Sequence, residues 1–390
     1  MTQPEDFDIL IIGAGLAGTS LACALRGSRF RVGVLEATPA PGVAAGWDAR
    51  IYAISPANVA FLSRIGAWSL LDRQRVQAVS RMDVRGDRGG RLQFSAYDAG
   101  LAALAQIAES SRLAAALRAA SQQAGGVCFV QGQASALSRD ETGASVRLAD
   151  GRVLRAALVV GADGAHSWTR QAAGLEARAR PYGELGVVAN FQCERPHRGT
   201  AFQWFRADGI LAYLPLPANQ ISIVWSTPEP HARTLLGLSE EALAEQVAEA
   251  GEQVLGRLQV MTPAQGFPLR QLQASAVVAP RLALIGDAAH GVHPLSGHGI
   301  NLGFQDAAAL SEVLQALPAA QDLGDLRSLR RYARLRAEET WMIQRFTHGL
   351  HELFRPGLAP LAWLRNAGLD VAGKIPGLRS MAIRYAAGLW

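Results

Sequence analysis

The hydrophobic pattern opens in an alternating α/β manner. Residues 7–12 read as a buried apolar run, broken only by Asp8, the pattern of a central strand of a parallel sheet. Residues 16–25 read as a helix and 31–35 as a second strand. Near residue 110 a helix is expected from the spacing of Leu113, Leu117 and Ala120. Residues 127–130 and 144–148 read as strands, with a turn at Asp150-Gly151. The middle changes texture. Residues 187–191, 201–205, 210–214 and 221–225 are short, aromatic and β-branched, and turn residues such as Asp208-Gly209 and Pro217-Ala218-Asn219 separate them. They predict a mostly antiparallel sheet. Residues 81–94, with a Gly89-Gly90 turn, predict a hairpin of the same layer. The α/β pattern then returns with a strand at 282–285, a loop and a helix over 303–317. From Leu326 the chain reads as helical to its end.

Composition narrows the class. The 390 residues are 49% apolar and 18% charged, which excludes a disordered chain. At about 150 residues per domain, two to three domains are expected. The net charge is +5, and Lys374 is the only lysine among 38 basic residues. No basic block is interleaved with stacking aromatics, so nucleic acid is not an expected partner. Cys23, Cys128 and Cys193 are scattered and odd in number, which suits a reducing compartment rather than a disulfide framework or a metal site. The uncharged run 9–25 follows Glu5, Asp6 and Asp8 instead of basic residues, and it is short for a span. A soluble, cytoplasmic protein is expected.

Gly13-Ala14-Gly15-Leu16-Ala17-Gly18 is a G-x-G-x-x-G run between a strand and a helix, and Glu36 lies twenty-one positions after Gly15. Gly13 permits the tight turn, Gly15 lets the backbone approach a pyrophosphate, and Gly18 lets helix and strand pack closely. The helix N-terminus offers free N–H groups to phosphates. The Glu36 carboxylate would accept from the two adenosine-ribose hydroxyls. No second such run occurs, so one dinucleotide is expected. Two further strands end in an acid beside glycine: Gly161-Ala162-Asp163-Gly164, with Ser167 and Arg170 after it, and Gly286-Asp287. Acids at the carboxyl ends of parallel strands point into the ligand crevice. Asp287 could accept from a ribityl hydroxyl. The other reading is that Asp163 and Asp287 are turn or N-cap residues.

Taken together these motifs resemble the flavoprotein aromatic hydroxylases related to para-hydroxybenzoate hydroxylase. The resemblance is nearest to the ubiquinone-biosynthesis ring hydroxylases. The family's three motifs are matched by the opening fingerprint, by Gly161 to Ser167, and by Gly286-Asp287 through Asn301. The narrower likeness rests on Asp48-Ala49-Arg50-Ile51-Tyr52-Ala53-Ile54-Ser55, with Leu62, Gly66 and Trp68. It rests also on Leu214-Pro215-Leu216 with Val224-Trp225, and on Asn301-Leu302-Gly303 leading to Asp306. Two departures stand out: His298 and Glu184 occupy positions where the family usually or often has Gln.

The resemblance implies an α/β fold: a Rossmann-like FAD-binding domain, an inserted mostly antiparallel β-sheet substrate domain, and a helical C-terminal segment. The FAD-binding domain would comprise residues 1–74, 101–175 and 276–330, the sheet domain 75–100 and 176–275, and the helical segment 331–390. The cofactor implied is FAD, with NAD(P)H or another electron donor as co-substrate. The reaction implied is insertion of one oxygen atom of O₂ into a phenolic ring through a C(4a)-hydroperoxyflavin. Cofactor contacts would fall on Gly13, Ala14, Gly15, Gly18, Glu36, Ala37, Arg50, Ala134, Asp163, Asp287, Pro294, Gly297, Gly299, Ile300 and Asn301. Arg50, Pro294 and His298 would stand nearest the chemistry, unless Arg50 is an ordinary surface arginine or His298 only fills its loop. His290 and His293, beside a helix-entering loop, read as structural more readily than catalytic. Asn190, Trp204, Tyr213, Leu214 and Trp225 are candidates for the substrate pocket, or else core of the sheet.

The expected function is hydroxylation of a polyprenylated phenol in ubiquinone biosynthesis. The alternatives are a hydroxylase of another small aromatic or quinolone, and a non-catalytic flavin-binding scaffold. Residues 341–390 carry six basic residues against two acids and are rich in Leu, Trp and Phe. That composition suits an anionic inner-membrane surface. It also suits docking to a biosynthetic complex, or helices packed on the flavin domain with a solvated basic face.

Overall fold

The structure is a computed structural model describing residues 5–39, 42–43, 46–123, 125–291 and 298–354. The side chains of 298, 350–352 and 354 fall outside that description. In chain order, β1 (Glu5–Ile12) leads into α1 (Leu16–Leu25) and β2 (Val32–Glu36). Next come β3 (Ile51–Ile54), α2 (Pro56–Arg64), β4 (Gln77–Val79), β5 (Arg81–Arg85), β6 (Arg91–Ser95), β7 (Ala105–Glu109) and α3 (Ser110–Gln122). Then follow β8 (Val127–Gln131), β9 (Ala134–Arg139), β10 (Ala144–Leu148), β11 (Val153–Gly161) and α4 (Trp168–Ala172). The next stretch holds β12 (Ala177–Cys193), β13 (Thr200–Arg206), β14 (Gly209–Leu216), β15 (Gln220–Pro228), α5 (Glu229–Leu236), α6 (Glu240–Ala250), β16 (Leu258–Val260) and β17 (Gln265–Ala274). The last described elements are β18 (Val278–Ala279), β19 (Leu282–Leu284), β20 (His290–Gly291), α7 (His298–Gln315) and α8 (Leu326–Phe354).

The first sheet has the order β18-β19-β11-β1-β2-β8, with β10 and β9 continuing from β11. Strands β19, β11, β1, β2 and β8 are mutually parallel. The apolar run at residues 9–12 of β1 now has its cause. Ile9 and Ile11 point into a core shared with Leu21 and Leu25 of α1, while Leu10 and Ile12 point into a second core with Val146 and Leu154. Burial on both faces requires an apolar residue at every position.

The second sheet has the order β20-β17-β12-β15-β14-β13-β5-β6, and β12 also pairs with β16. It is antiparallel except where β13 runs parallel to β5. One face packs on α5 and α6 through Phe191, Tyr213, Trp225, Leu235 and Val247. The opposite face carries Ile210, Leu214 and Leu216, which pack with Ile51, Val79 and Ile107 of the small sheet β3-β7-β4. The expected β5–β6 hairpin lies in this layer.

Several expectations needed correction. Strand β12 starts at Ala177, ten residues before the apolar run, because its first half is solvent-exposed and its polar residues hide the pattern. Helices α5 and α6 were not anticipated from the strand-like texture around them. Helix α7 begins at His298, five residues before the expected start. The helical reading from Leu326 holds as far as Phe354. Residues 355–390 lie outside the described residues. Among the described residues, no helix is long and apolar enough to cross a membrane.

Candidate active site

The carboxyl end of β1 turns through Gly13-Ala14-Gly15 into α1. Gly13 has φ +110°, a conformation only glycine adopts readily, and a Cβ there would meet the Ala162 carbonyl oxygen at 2.5 Å. A Cβ on Gly18 would lie 2.1 Å from the Gly13 oxygen. Gly15 differs: a Cβ there would meet nothing within 4 Å. It is the N-cap of α1, without a side-chain cap, so its own side chain leaves the first N–H groups of the helix to other partners. Two glycines therefore serve packing, and the third leaves room for a ligand against the helix N-terminus. That arrangement fits an anion such as a pyrophosphate.

Glu36 ends β2 and is buried, as expected of a ribose ligand. Its carboxylate is already held by Arg118 of α3, with Nη1 2.7 Å from Oε2 and Nη2 3.1 Å from Oε1. Arg118 in turn lies over the Phe129 ring. Each oxygen keeps a second lone pair for a hydroxyl, so Glu36 is oriented rather than blocked. Ala37 follows at the surface. Ala134 starts β9, two positions past Gly132, whose N–H donates to the Glu36 carbonyl at 3.0 Å.

The two motif acids differ. Asp163 accepts from Ser167 Oγ at 2.5 Å, Thr169 N at 2.8 Å and Thr169 Oγ1 at 3.0 Å. Its carboxylate organises the start of α4, the capping reading of this residue. It still lies beside the loop, since a Cβ on Gly13 would come within 2.9 Å of its Cα. Asp287 sits on a 3₁₀ turn just past β19, with an accessible side chain that makes no hydrogen bond to another described residue. Desolvation raises its pKa, opposed by the charges of His290, Arg50 and Arg270. An accessible acceptor with no partner among the described residues, in a cationic surround, fits a ribityl hydroxyl.

Arg50 is exposed and lies over the Phe267 ring of β17, 4.7 Å from its centroid, so it stands at the junction of the two large sheets. The loop that carries it is tightly held. Asp48 accepts from the N–H groups of Arg50 and Ser111, each at 2.9 Å, and donates its own N–H to Glu109 Oε1 at 2.8 Å. Buried Glu109 is clamped by Arg75, at 2.7 and 2.9 Å, and by Arg112 at 2.8 Å. Sequence reading missed this support, because its members are spread from Asp48 to Arg112. It missed also the pair Arg270–His166, whose nitrogens meet at 2.6 Å across the two sheets, with His166 exposed and Arg270 half-buried.

Asn301 uses its side chain to staple α7 to β3 and α2. It accepts from Ser55 N and Asn58 Nδ2, each at 2.9 Å, and donates to the Ala53 carbonyl at 2.8 Å. These bonds commit its amide oxygen and one of its two N–H groups to structure. His290 is buried and structural: Nε2 lies 2.6 Å from Asp306 Oδ2, which also accepts Gly286 N at 2.9 Å. Arg336 of α8 holds the other Asp306 oxygen at 2.8 Å. This network fixes the turn that presents Asp287. Gly299 and Ile300 lie in the first turn of α7, Gly299 with open space around it and Ile300 against the core. His293, Pro294, Gly297 and the His298 side chain lie outside the described residues.

Strand alternation divides the five pocket candidates. Trp204, Tyr213 and Trp225 lie on the face covered by α5 and α6. Tyr213 donates to the Val247 carbonyl at 2.5 Å. These three are core of the sheet. Asn190 and Leu214 lie on the opposite face, where Asn190 Nδ2 donates to the Asp48 carbonyl at 2.9 Å. Glu184 sits in the register shift of β12 between Pro181 and Leu185. Burial pushes the Cys23 and Cys193 thiols up to about 12, so neither is a nucleophile.

A model of the FAD binding domain family matches residues 6–347. The chain is 36% identical to the 3-demethoxyubiquinol 3-hydroxylase of Escherichia coli (strain K12), over 99% of each chain. It is 35% identical to the ubiquinone hydroxylase UbiL of Rhodospirillum rubrum, over 98% of this chain and 89% of that one. Among solved structures, PqsL of Pseudomonas aeruginosa, described as a probable FAD-dependent monooxygenase, aligns with a TM-score of 0.78 at 26% identity. That alignment covers 94% of this chain and 99% of PqsL.

Proposed function

The chain belongs to the FAD binding domain family, and on that premise we propose that it hydroxylates the aromatic ring of a polyprenylated phenol in ubiquinone biosynthesis. The observation that carries this reading is full-length likeness to two ubiquinone-pathway hydroxylases in a chain whose glycine loop and Asp287 suit FAD. Bound there, FAD supplies the activation of O₂ from which one oxygen atom reaches an electron-rich ring.

The protein's own part is binding, orientation and exclusion of water. The N–H groups at the start of α1 would hold the pyrophosphate, Glu36 the adenosine ribose and Asp287 the ribityl chain. Arg50 would bring a positive charge to the junction where ring and substrate meet. The face of the second sheet bearing Asn190 and Leu214 would roof the substrate and keep water out. Pro294 and the 297–301 segment would line the isoalloxazine, the last through backbone N–H groups rather than the Asn301 side chain. His298 replaces a family Gln there. His298→Gln is expected to keep FAD binding and to flatten the pH dependence of flavin reduction between about pH 6 and 8.

NAD(P)H is the proposed electron donor, with Arg50, Arg270 and His166 as basic groups able to meet its phosphates. We assign residues 1–74, 101–175 and 276–330 to the FAD-binding domain, 75–100 and 176–275 to the substrate domain, and 331–390 to a C-terminal segment. A polyprenylated substrate resides in lipid, so the enzyme would work at a membrane surface. One observation favours a second reading, another small aromatic substrate: PqsL is solved in complex with 2-aminobenzoylacetate.

Quinone profiling by mass spectrometry in a strain lacking the gene tests the main reading. A polyprenylated intermediate lacking one ring hydroxyl should accumulate and ubiquinone should fall. An unchanged quinone pool would overturn it.

A further inference from the structure

Helix α8 packs along one side only. Leu329, Tyr332, Arg336 and Ile343 are buried on its inner face, and Tyr332 donates to the Leu284 carbonyl at 2.9 Å. The outer face carries Arg327, Arg331, Arg334 and Arg345, all exposed, and Glu338 is the one acid on it among the residues whose side chains are described. At 3.6 residues per turn these five fall within a stripe about 60° wide. Exposed Arg330 and Trp341 flank the stripe on one side and exposed Leu335 on the other. The ion pairs of α8 among the described residues belong to inner-face Arg336. The outer arginines pair with no described carboxylate, and Arg345 lies over the Trp341 ring, 5.3 Å from its centroid. Arg75, Arg118, Arg206 and Arg281, in contrast, are each matched to a carboxylate. Trp341 is 56% exposed and Leu335 55%.

We propose that this outer face of α8 docks the enzyme on an anionic lipid bilayer, an inference that rests on the lipid-resident substrate proposed above. Among the described side chains, five arginines against one acid complement phosphate headgroups. Exposed Trp and Leu beside them match the apolar edge of a helix lying in the interfacial plane. The helix has 29 residues, about 44 Å at 1.5 Å per residue, and can lie flat along the surface. Its position also serves the chemistry. Tyr332 holds β19, which leads to Asp287, and Gln344 Nε2 donates to the Leu272 carbonyl of β17 at 3.2 Å. Docking through α8 therefore sets the strands that frame the cofactor crevice next to the lipid.

The test uses the full-length holoenzyme and vesicles of phosphatidylcholine, alone or mixed with phosphatidylglycerol. Co-sedimentation is expected only with phosphatidylglycerol present, and it should weaken at high salt. Each basic residue near an anionic surface contributes about fivefold, so Arg330→Glu/Arg331→Glu/Arg334→Glu should weaken binding by on the order of a hundredfold or more. Trp341→Ala should weaken it less. FAD content and melting temperature should stay at parental values, because these side chains touch neither crevice nor core. Arg195→Glu/Arg198→Glu/Arg257→Glu, equal in charge change and placed on other exposed turns, should retain most of the binding. The proposal is overturned if the parent ignores anionic vesicles, if the α8 variant binds as the parent does, or if the control loses as much. It is overturned too if removing residues 355–390 alone abolishes binding, which would move the anchor there. A lipid-independent dimer broken by the α8 variant, in a parent that ignores vesicles, would assign the face to a second copy. None of these outcomes touches the hydroxylase reading, which quinone profiling decides separately.

Discussion

Asn190 of β12 donates its side-chain amide to the backbone carbonyl of Asp48 at 2.9 Å, across 142 positions of sequence. The bond ties the face of the second sheet opposite α5 and α6 to the loop that carries Arg50. Its geometry fixes which end of the amide is the donor, and it leaves Asn190 Oδ1 buried without a partner. Asn190→Leu removes one hydrogen bond together with one orphaned acceptor, so stability should change by only about 1 kcal/mol. Catalytic efficiency should fall about ten- to hundredfold as Arg50 loses its reference to the sheet. Asn190→Asp would set a buried carboxylate against a carbonyl oxygen and cost about 3 kcal/mol. Urea melts and steady-state kinetics on both variants check this, and parental kinetics in Asn190→Leu would reduce the bond to packing.

Gly15 and Gly18 should separate binding from folding. Gly18→Ala forces a methyl group onto the Gly13 carbonyl and should destabilise the apoprotein by about 3 kcal/mol. Gly15→Ala meets no protein atom and should cost the apoprotein less than about 1 kcal/mol. Its methyl would stand where the pyrophosphate approaches, so FAD affinity should drop at least about tenfold, or 1.4 kcal/mol. Thermal melts of the apoproteins with FAD titrations give both quantities. Parental FAD affinity in Gly15→Ala would place the phosphates elsewhere.

The His290–Asp306 pair gives a pH signature. Burial works to lower the His290 pKa, but the charge and hydrogen bond of Asp306 outweigh it and the net shift is upward. Burial works to raise the Asp306 pKa, and His290 and Arg336 together bring it below its ordinary value. A raised histidine contributes stability that is full below about pH 6.5 and is lost as pH rises through its folded pKa. A lowered aspartate contributes stability that is full above about pH 4 and is lost as pH falls through its folded pKa. The stability gap between the parent and His290→Gln should therefore be widest between about pH 4 and 6.5 and narrow on both sides. Denaturant melts across pH would show it, and a gap that grows above pH 7 would contradict the sign.

Neighbouring residues Tyr213 and Leu214 should report opposite faces of one strand. Tyr213→Phe removes the bond to the Val247 carbonyl and should cost about 1–2 kcal/mol without changing KM. Leu214→Ala, at a half-buried position on the face opposite α5 and α6 that is proposed to roof the substrate, should raise KM with little loss of melting temperature. A shift of KM in Tyr213→Phe at parental stability would mean that the faces are assigned the wrong way round.

The sequence by itself determined the cofactor class and the elements that hold it. The spacing of Gly13, Gly15, Gly18 and Glu36 is local, and the limits of α1 match the apolar run because helix and turn chemistry act over a few residues. The tertiary structure decided what each side chain does there. Period-2 alternation separates Asn190 and Leu214 from Trp204, Tyr213 and Trp225, but it does not say which set faces the cofactor. That choice depends on α5 and α6 covering one side of the sheet. The pairing of Glu36 with Arg118, the hold of Ser167 and Thr169 on Asp163, and the stapling by Asn301 were likewise settled by which partner came within reach. A motif names a carboxylate or an amide, and only packing decides whether its lone pairs and protons remain for a ligand.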